Sequence, residues 1–252
     1  MNEDYELLKK RFVELARKAD SQCYFTFTDF LGLAEQSAFF EVRSQLRGAS
    51  YTVFGGAEGA ERVVIRFGSE EEIGYCAPFP IVTVKAEPTS QRFADKLTHR
   101  DFLGALLNLG IERSTLGDIV IINNVGYIFA LEDIAPYIVS SLSRVKHTDM
   151  RVSITDTLPE GDLYRTESKR IQANGERLDA IVAKVFSLSR DDAQALFRKR
   201  LVFASGRLVE STSYIPKENE VISVRGFGRM IYRGYESLSK KGKLNIVVDV
   251  YV

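Results

Sequence analysis

Two short segments in the C-terminal half of the chain repeat apolar residues at the spacing of an α-helix. Polar residues fill the positions between them, so each segment predicts an amphipathic helix with one buried face. The apolar positions are Leu178, Ile181, Val182, Val185, Ala193, Leu196 and Phe197. Ser189 can cap the second helix, with Asp192 completing a capping box, and this helix is therefore predicted to begin at Arg190.

Short strands follow these two helices. The residues from 201 to 204 and from 207 to 210 read as strands around Ser205-Gly206, which suits a tight hairpin turn. Residues 221 to 224 add a third strand, and the alternation from Ile246 to Val250 predicts a last strand added to the same sheet. The segment thus predicts an α-α-β-β-β unit with an extra C-terminal strand.

The N-terminal third predicts a mixture of helices and strands. An apolar stripe from Tyr5 to Ala19 predicts one helix, and Thr28 or Asp29 can cap a second helix that stops before Gly48. Strands are predicted at 51–54 and 62–67. The glycine-rich segment 55–61 between them lacks the lysine of a phosphate-binding loop, so we interpret it as a hairpin connection, with a direct RNA contact as the alternative.

Strands and helices alternate in a recognisable order in the middle of the chain. Strands are predicted at 81–86, 119–122, 127–130 and 151–154, and helices at 99–109, capped by Thr98, and at 133–145. The order β-α-β-β-α-β is that of the ferredoxin-like fold. We therefore expect an α+β protein with three domains: an N-terminal α/β domain (1–74), a ferredoxin-like domain (75–160) and a C-terminal domain (161–252).

The charge is divided unevenly between the two ends of the chain. The 252 residues carry 34 Lys and Arg against 34 Asp and Glu, but residues 165–252 carry 17 against 10 and residues 1–164 carry 17 against 24. A basic C-terminal part points to nucleic acid. Cys23 and Cys76 are too few for a disulfide framework or a four-cysteine metal site. No signal peptide or membrane span is recognisable, so we expect a cytoplasmic protein with no membrane partner.

Most polar positions of the predicted helical pair and its strands are cationic, and the same segment has few carboxylates to balance them. The candidate RNA-binding residues are Arg177, Lys184, Arg190, Arg198, Lys199, Arg200 and Arg207. A guanidinium engages two phosphate oxygens through its planar donor fork, which suits an RNA backbone. A solvated helix face is the alternative interpretation.

Further candidates lie outside this run. Arg225 and Arg229 flank Gly226-Phe227-Gly228, where Phe227 can either pack or stack on a base. Lys96, His99 and Arg100 at a predicted helix start form a secondary RNA-binding candidate.

Two aromatic side chains alternate on one predicted strand of the central domain. Tyr127 and Phe129 could stack bases, as aromatic residues do in RNA-recognition motifs, although we favour a core role for both.

The C-terminal run resembles an S4 domain, a small RNA-binding module. The matching residues are Arg177-Leu178-Asp179, Ser189-Arg190, Ala193 and the Gly206 turn. The family usually has glycine where Arg200 stands and asparagine where Ser205 stands. The resemblance implies that the cationic residues of this run face RNA.

A second resemblance, carried mainly by the central block, is to the YlmH-like S4-domain proteins of Gram-positive bacteria. This resemblance extends over nearly the whole chain. The matching runs are 96–107, 109–113 and 116–119, with Gly55-Gly56 and 59–62 in the N-terminal domain. The resemblance implies a non-enzymatic RNA-binding protein linked to the ribosome, since some S4 relatives assist tRNA and nascent-chain handling on the large subunit during rescue of stalled ribosomes. Large-subunit rRNA, tRNA and the ribosome are the expected partners of a monomer without a cofactor.

An RNA-modifying enzyme is the opposing interpretation. A pseudouridine synthase needs a larger catalytic domain, a methyltransferase needs a glycine-rich loop that opens a helix, and a tyrosyl-tRNA synthetase needs an adenylate-forming domain; we find none of these. Asp101 and Asp118 are a possible carboxylate pair, but a helix start explains the first and a turn before a strand explains the second. We therefore predict no catalytic residue and no metal site.

Overall fold

The computed structural model describes residues 2–46, 48–159, 161–239 and 242–252, and the chain divides into two compact units, Met1–Leu163 and Tyr164–Val252. The unit boundary lies three residues beyond the predicted domain boundary between residues 160 and 161. The further division of the first unit near residue 74 stays a prediction. In the described parts of the chain, no helix is long and apolar enough to cross a membrane.

The N-terminal part of the first unit packs two helices on a small antiparallel sheet with the strand order β1-β3-β2. Its elements are α1 (Asn2–Gln22), β1 (Thr26–Phe27), α2 (Leu33–Val42), β2 (Tyr51–Phe54), β3 (Val64–Phe67) and α3 (Glu70–Ile73), with a 3-10 helix at Arg43–Gln45. Phe12 of α1, Phe39 of α2 and Phe67 of β3 meet in the core. The predicted hairpin connection between β2 and β3 is confirmed, because these strands pair antiparallel.

The predicted cap of the second helix is wrong. Neither Thr28 nor Asp29 caps α2, whose N-cap is Gly32. The hydroxyl of Thr28 instead accepts a hydrogen bond from the Ile65 amide at 2.9 Å, and the Thr28 amide donates to the Ile65 carbonyl. The chain is therefore still extended beside β3 at Thr28, and the helix begins only after Gly32.

The central part of the first unit is a five-stranded antiparallel sheet with the strand order β5-β6-β4-β8-β7. Its elements are β4 (Ile81–Pro88), α4 (His99–Asn108), β5 (Leu116–Ile122), β6 (Val125–Leu131), α5 (Ala135–Ser141), β7 (Arg144–Val145) and β8 (Thr148–Thr155), with 3-10 helices at Gln91–Phe93 and Arg113–Thr115. The predicted β-α-β-β-α-β order is confirmed. β6 separates β4 from β5, and β4 separates β6 from β8, which is the split arrangement of the ferredoxin-like fold.

The boundaries of the two central helices test the sequence prediction locally. Asp101 accepts hydrogen bonds from the Thr98 amide and hydroxyl, which confirms the helix start. The second helix was predicted too long, because it ends at Ser141. Val145, fully buried, belongs instead to β7, which pairs with β8 across a turn at Lys146, where φ is 55°.

The two faces of the central sheet have different neighbours. Ile128 packs with Phe102 of α4 and Ile138 of α5, whereas Phe129 packs on the opposite face with Phe30 and Val64 of the N-terminal part. The core interpretation is therefore confirmed for Phe129, which is fully buried, while Tyr127 is only half-buried.

Gly56 lies directly over Phe129. A Cβ atom at Gly56 would stand 2.3 Å from the Phe129 ring, and φ of Gly56 is 96°, so this position requires glycine on both grounds. The glycine-rich connection thus covers the sheet face at Phe129.

Arg62 joins the N-terminal and central parts within the first unit. Its guanidinium donates to the carbonyls of Phe30, Arg113 and Leu116 at 2.8–3.0 Å. Asp118 lies inside β5 and accepts hydrogen bonds from the amides of Glu61 and Arg62 at 2.7 and 3.1 Å. The prediction of a turn at Asp118 is therefore wrong, and its carboxylate holds the glycine-rich connection in place.

The second unit packs two helices on one face of a six-stranded antiparallel sheet with the order β11-β10-β12-β13-β14-β9. Its elements are β9 (Thr166–Ala173), α6 (Leu178–Val185), α7 (Arg190–Arg198), β10 (Val202–Ala204), β11 (Arg207–Leu208), β12 (Glu220–Val224), β13 (Gly228–Leu238) and β14 (Leu244–Tyr251). The predicted α-α-β-β-β order and the added last strand are confirmed. Strands β9 and β13 were not predicted.

The predicted turn between β10 and β11 is confirmed. Ser205 and Gly206 have φ angles of 46° and 78°, as a type I′ hairpin requires. Arg200 also has a positive φ, 57°, at the position where the S4 pattern usually has glycine. The chain therefore keeps a left-handed turn after α7 despite the substitution.

Candidate nucleic-acid interface

A groove of about 540 Å³ lies in the second unit beside α6, and we call it the α6 groove. Its walls come from the end of β9, the loop before α6, the exposed side of α6, the start of α7 and the residue before β14. Its cations are Arg177, Lys184, Arg190 and Lys243, and its small residues include Ala173, Gly175, Ala180 and Ala183. Among the residues that the structure describes, none that lines the groove is acidic. The α6 groove thus has cationic side chains at its rim and small side chains at its floor, which allow the backbone of a bound polymer to come close.

A buried carboxylate organises two of these cations. The Asp179 side chain is 0% exposed and accepts two hydrogen bonds at 3.1 Å from Nε and Nη2 of Arg177. Gln194 Nε2 donates to Asp179 at 3.1 Å, and Arg190 Nη2 lies 3.7 Å from the same carboxylate oxygen. A single carboxylate thus serves two of the predicted arginines, a contact that the sequence interpretation did not include.

Asp179 stays ionised at neutral pH. Burial raises the pKa of its carboxyl, but the hydrogen bonds from Gln194 and Arg177 and the charges of Arg177 and Arg190 together outweigh burial and lower the pKa below its ordinary value. Both arginines remain partly exposed, 45% for Arg177 and 61% for Arg190. Asp179 therefore holds the two guanidinium groups from the buried side, while both arginines keep donor groups exposed.

Local hydrogen bonds set the positions of the two helices. The Ser189 hydroxyl accepts from the Asp192 amide at 3.1 Å, so α7 begins at Arg190 as predicted. Asp192 completes the cap differently from the prediction, because its carboxylate accepts from the Ser189 hydroxyl at 2.6 Å. At the C-terminal end of α6, Lys169 Nζ of β9 donates to the Val185 carbonyl at 2.9 Å. These hydrogen bonds fasten the end of α6 and the start of α7.

The remaining predicted residues of the helical run lie away from the α6 groove. Arg198, Lys199 and Arg200 follow at the C-terminal end of α7, roughly 12 Å along the helix from Arg190 at 1.5 Å per residue. Arg200 lies 3.7 Å from Glu210, and Arg207 is exposed on β11. The predicted set therefore divides into a groove group and a group at the far end of α7.

The two arginines around Phe227 are in contact with aromatic rings. The Arg225 guanidinium lies 5.4 Å from the centre of the Phe203 ring, and Arg229 lies 4.1 Å from the Tyr251 ring. Phe227 packs 6.0 Å from Phe186 and keeps 46% of its surface exposed. Their contact with RNA stays a prediction.

The secondary candidates at the start of α4, Lys96, His99 and Arg100, lie in different surroundings. Arg100 lines a groove together with Arg144 and Lys146, and Lys96 is exposed just before α4. Partial desolvation lowers the pKa of the His99 imidazole, and the charge of Arg113 lowers it further. His99 therefore belongs to the surroundings of Arg113, whereas Arg100 joins two cations that the sequence prediction missed.

The central part of the first unit matches a known protein family. Residues 80–158, which span β4 to β8, match the family model described as "Putative RNA-binding domain in YlmH". Residues 80–158 are therefore similar to the YlmH RNA-binding domain, and we refer to them by that name. The chain is also 28% identical over 249 residues to the "Ribosome-associated protein quality control protein P2" of Bacillus subtilis (strain 168), covering 94% of this chain and 91% of that protein. The resemblance to YlmH-like proteins is thus confirmed.

A solved structure is also similar. The "Cell division protein ylmH from Streptococcus pneumoniae" covers 60% of this chain and 91% of its own, with a TM-score of 0.47 and 18% identity. The YlmH RNA-binding domain contains Lys96, His99 and Arg100, while the α6 groove lies outside it in the second unit.

Proposed function

We propose that this protein is a non-enzymatic, cytoplasmic RNA-binding factor that holds structured rRNA or tRNA on the ribosome through the α6 groove. The observation that carries the proposal is the buried Asp179, which is hydrogen-bonded to Arg177 and lies 3.7 Å from Arg190, beside Lys184 and Lys243. Fixed guanidinium groups lose little freedom on binding, so more of the phosphate contact energy remains as affinity.

The geometry favours a nucleic-acid backbone over other anions. In the described lining, four cations surround small residues and none of the residues is acidic, which lets a sugar-phosphate chain approach without repulsion. The described lining of the groove includes no aromatic residue on which bases could stack. We therefore expect recognition of RNA shape and charge with little dependence on base sequence.

The ribosomal setting rests on similarity. The Bacillus subtilis relative is named for ribosome-associated protein quality control, and this chain covers most of that protein. We propose the same setting here, with large-subunit rRNA and tRNA as the RNA partners of a monomeric protein that includes an S4 domain. No group of three or more His, Cys, Asp or Glu side chains placed to hold a metal occurs among the described residues.

Crosslinking and sequencing of bound RNA from cells tests the proposal. The intact chain is compared with the charge reversal Lys184→Glu with Lys243→Glu, which leaves the Asp179 cluster in place. The matched control is Arg165→Glu with Lys217→Glu, since these exposed cations of the same unit do not line the groove. We expect discrete crosslinks to large-subunit rRNA and tRNA that disappear in the groove variant and persist in the control.

Two results would contradict the proposal. Crosslinks that are equally strong in both variants would remove the α6 groove from RNA binding. An RNA position that is chemically altered only when the protein is present would favour the RNA-modifying enzyme instead.

A further inference from the structure

We propose that the YlmH RNA-binding domain contacts the RNA backbone through its helical face, in the groove between α4 and the β7–β8 hairpin, which we call the α4 groove. This inference rests on the proposed function and adds a second contact site to it. The residues assigned to the contact are Arg100, Arg144 and Lys146.

The α4 groove is a shallow channel with small side chains. It encloses about 520 Å³, and Gly104, Ala105, Ser141 and Ser143 are among its lining residues. A Cβ atom built at Gly104 would meet no other atom within 4 Å, so the groove is open above this residue. A phosphate backbone can therefore come close to α4 between the flanking cations.

Positive charge is more concentrated in this groove than in the domain as a whole. Residues 80–158 contain eight Lys and Arg against nine Asp and Glu. Three of those eight cations line the groove, and Asp101 is the single acidic residue of its described lining. Asp101 is engaged by the Thr98 amide and hydroxyl and lies 3.2 Å from Lys146 Nζ. The groove is thus a cationic site on an otherwise slightly acidic domain.

The opposite face of the domain is a poorer RNA site. Phe129, where base stacking would be expected in an RNA-recognition motif, is fully buried beneath Gly56 and Phe30. The cations on the open part of that face, Lys85 and Arg151, both lie within 4 Å of Glu87. The sheet face thus has its central aromatic position covered, whereas the helical face brings Arg100, Arg144 and Lys146 together in one open groove.

The contact should be independent of base identity. None of the described residues that line the α4 groove is aromatic, so they offer phosphate contacts and no stacking surface. Phosphate contacts make binding salt-dependent, and each cation that touches a phosphate contributes about one unit to the slope of log affinity against log salt concentration.

The test measures that slope with the full-length protein, using total tRNA and purified large ribosomal subunits as probes. The triple variant Arg100→Gln, Arg144→Gln, Lys146→Gln is compared with the control Lys85→Gln, Arg92→Gln, Arg151→Gln, which removes the same charge from the same domain. We expect the groove variant to have a slope shallower by about 2 to 3 and the control to resemble the unmodified protein.

Crosslinking of the unmodified protein gives an independent measurement if a variant folds poorly. Peptides from 98–109 and 141–147 should carry the crosslinked nucleotides, and crosslinks on β4 and β8 instead would overturn the inference. Equal slopes for the two triple variants would also overturn it. If Lys184→Glu with Lys243→Glu still abolishes binding, only the α4 groove fails; if the unmodified protein binds neither probe, the proposed function fails as well.

Discussion

The α6 groove and the α4 groove both place cations around small residues, but they hold those cations differently. In the α6 groove, the fully buried Asp179 is hydrogen-bonded to Arg177 and lies 3.7 Å from Arg190, and none of the described lining residues is acidic. In the α4 groove, Arg144 and Lys146 pair with the more exposed carboxylates Asp149 and Asp101. A cation that is anchored by a buried partner keeps its orientation, whereas a surface pair must loosen before it can meet a phosphate.

This difference predicts that the α6 groove dominates affinity and that the α4 groove adds a smaller contribution. The predictions below test the comparison, from the largest expected effect to the smallest.

Charge reversal in the α6 groove should have the largest effect. Lys184→Glu with Lys243→Glu replaces two attractive contacts by two repulsive ones, and we expect affinity for total tRNA to fall roughly hundredfold at 0.1 M salt. Fluorescence anisotropy measures the change. The control Arg165→Glu with Lys217→Glu should lose less than about fivefold; similar losses in both would indicate a response to net charge alone.

Neutralising the buried anchor should lower the stability of the second unit. Asp179→Asn keeps the size of the side chain but removes the charge that Arg177 and Arg190 face, and we expect a loss of about 2 kcal/mol in the free energy of unfolding. The estimate lies below the usual cost of breaking a buried pair because both arginines are partly exposed. Urea unfolding checks it, with Asp191→Asn on the exposed side of α7 as the control.

The contribution of Asp179 to stability should depend on pH. The folded state lowers the pKa of Asp179, so its contribution is fully present above the unfolded value of about 3.9 and is lost as the pH falls through the lower folded value. The difference in unfolding free energy between the unmodified protein and Asp179→Asn should therefore shrink as pH falls below about 4. A difference that stays constant from pH 7 to pH 3 would contradict the assigned ionic role.

Removing a surface pair at the α4 groove should have the smallest effect on stability. Arg144→Gln breaks the 2.9 Å contact with Asp149, but both side chains are more than 60% exposed. We expect the free energy of unfolding to change by less than about 1 kcal/mol in thermal or urea unfolding. A larger loss would show that Arg144 is anchored as firmly as the arginines of the α6 groove.

The sequence was sufficient for the order of elements where local patterns are strong. Apolar spacing and the Thr98 cap predicted the β-α-β-β-α-β order, and the Ser189 cap located the start of α7. Predictions failed where long-range pairing decides the structure. Val145 continues the apolar helical spacing of Ile138 and Leu142, yet pairing with β8 makes it part of a strand.

The candidate site was only partly predictable for the same reason. Arg177, Lys184 and Arg190 are close in sequence and were found, whereas Lys243 enters the α6 groove only because β14 pairs with β9 and places Leu244 opposite Ala173. Asp179 was noted as part of the S4 pattern, but its burial follows from the packing of α6 against α7, which brings Gln194 to its carboxylate. Spacing along the chain does not reveal either contact.

The affinity of Asp179→Asn for RNA tests the central claim most directly. This change makes the protein more positive by one charge, so an account based on charge alone expects tighter binding to total tRNA and large ribosomal subunits. If Asp179 instead fixes Arg177 and Arg190 for phosphate contact, affinity should fall about tenfold at a temperature where the variant remains folded. Unchanged or tighter binding by the folded variant would contradict the proposal that the buried carboxylate prepares this groove for RNA.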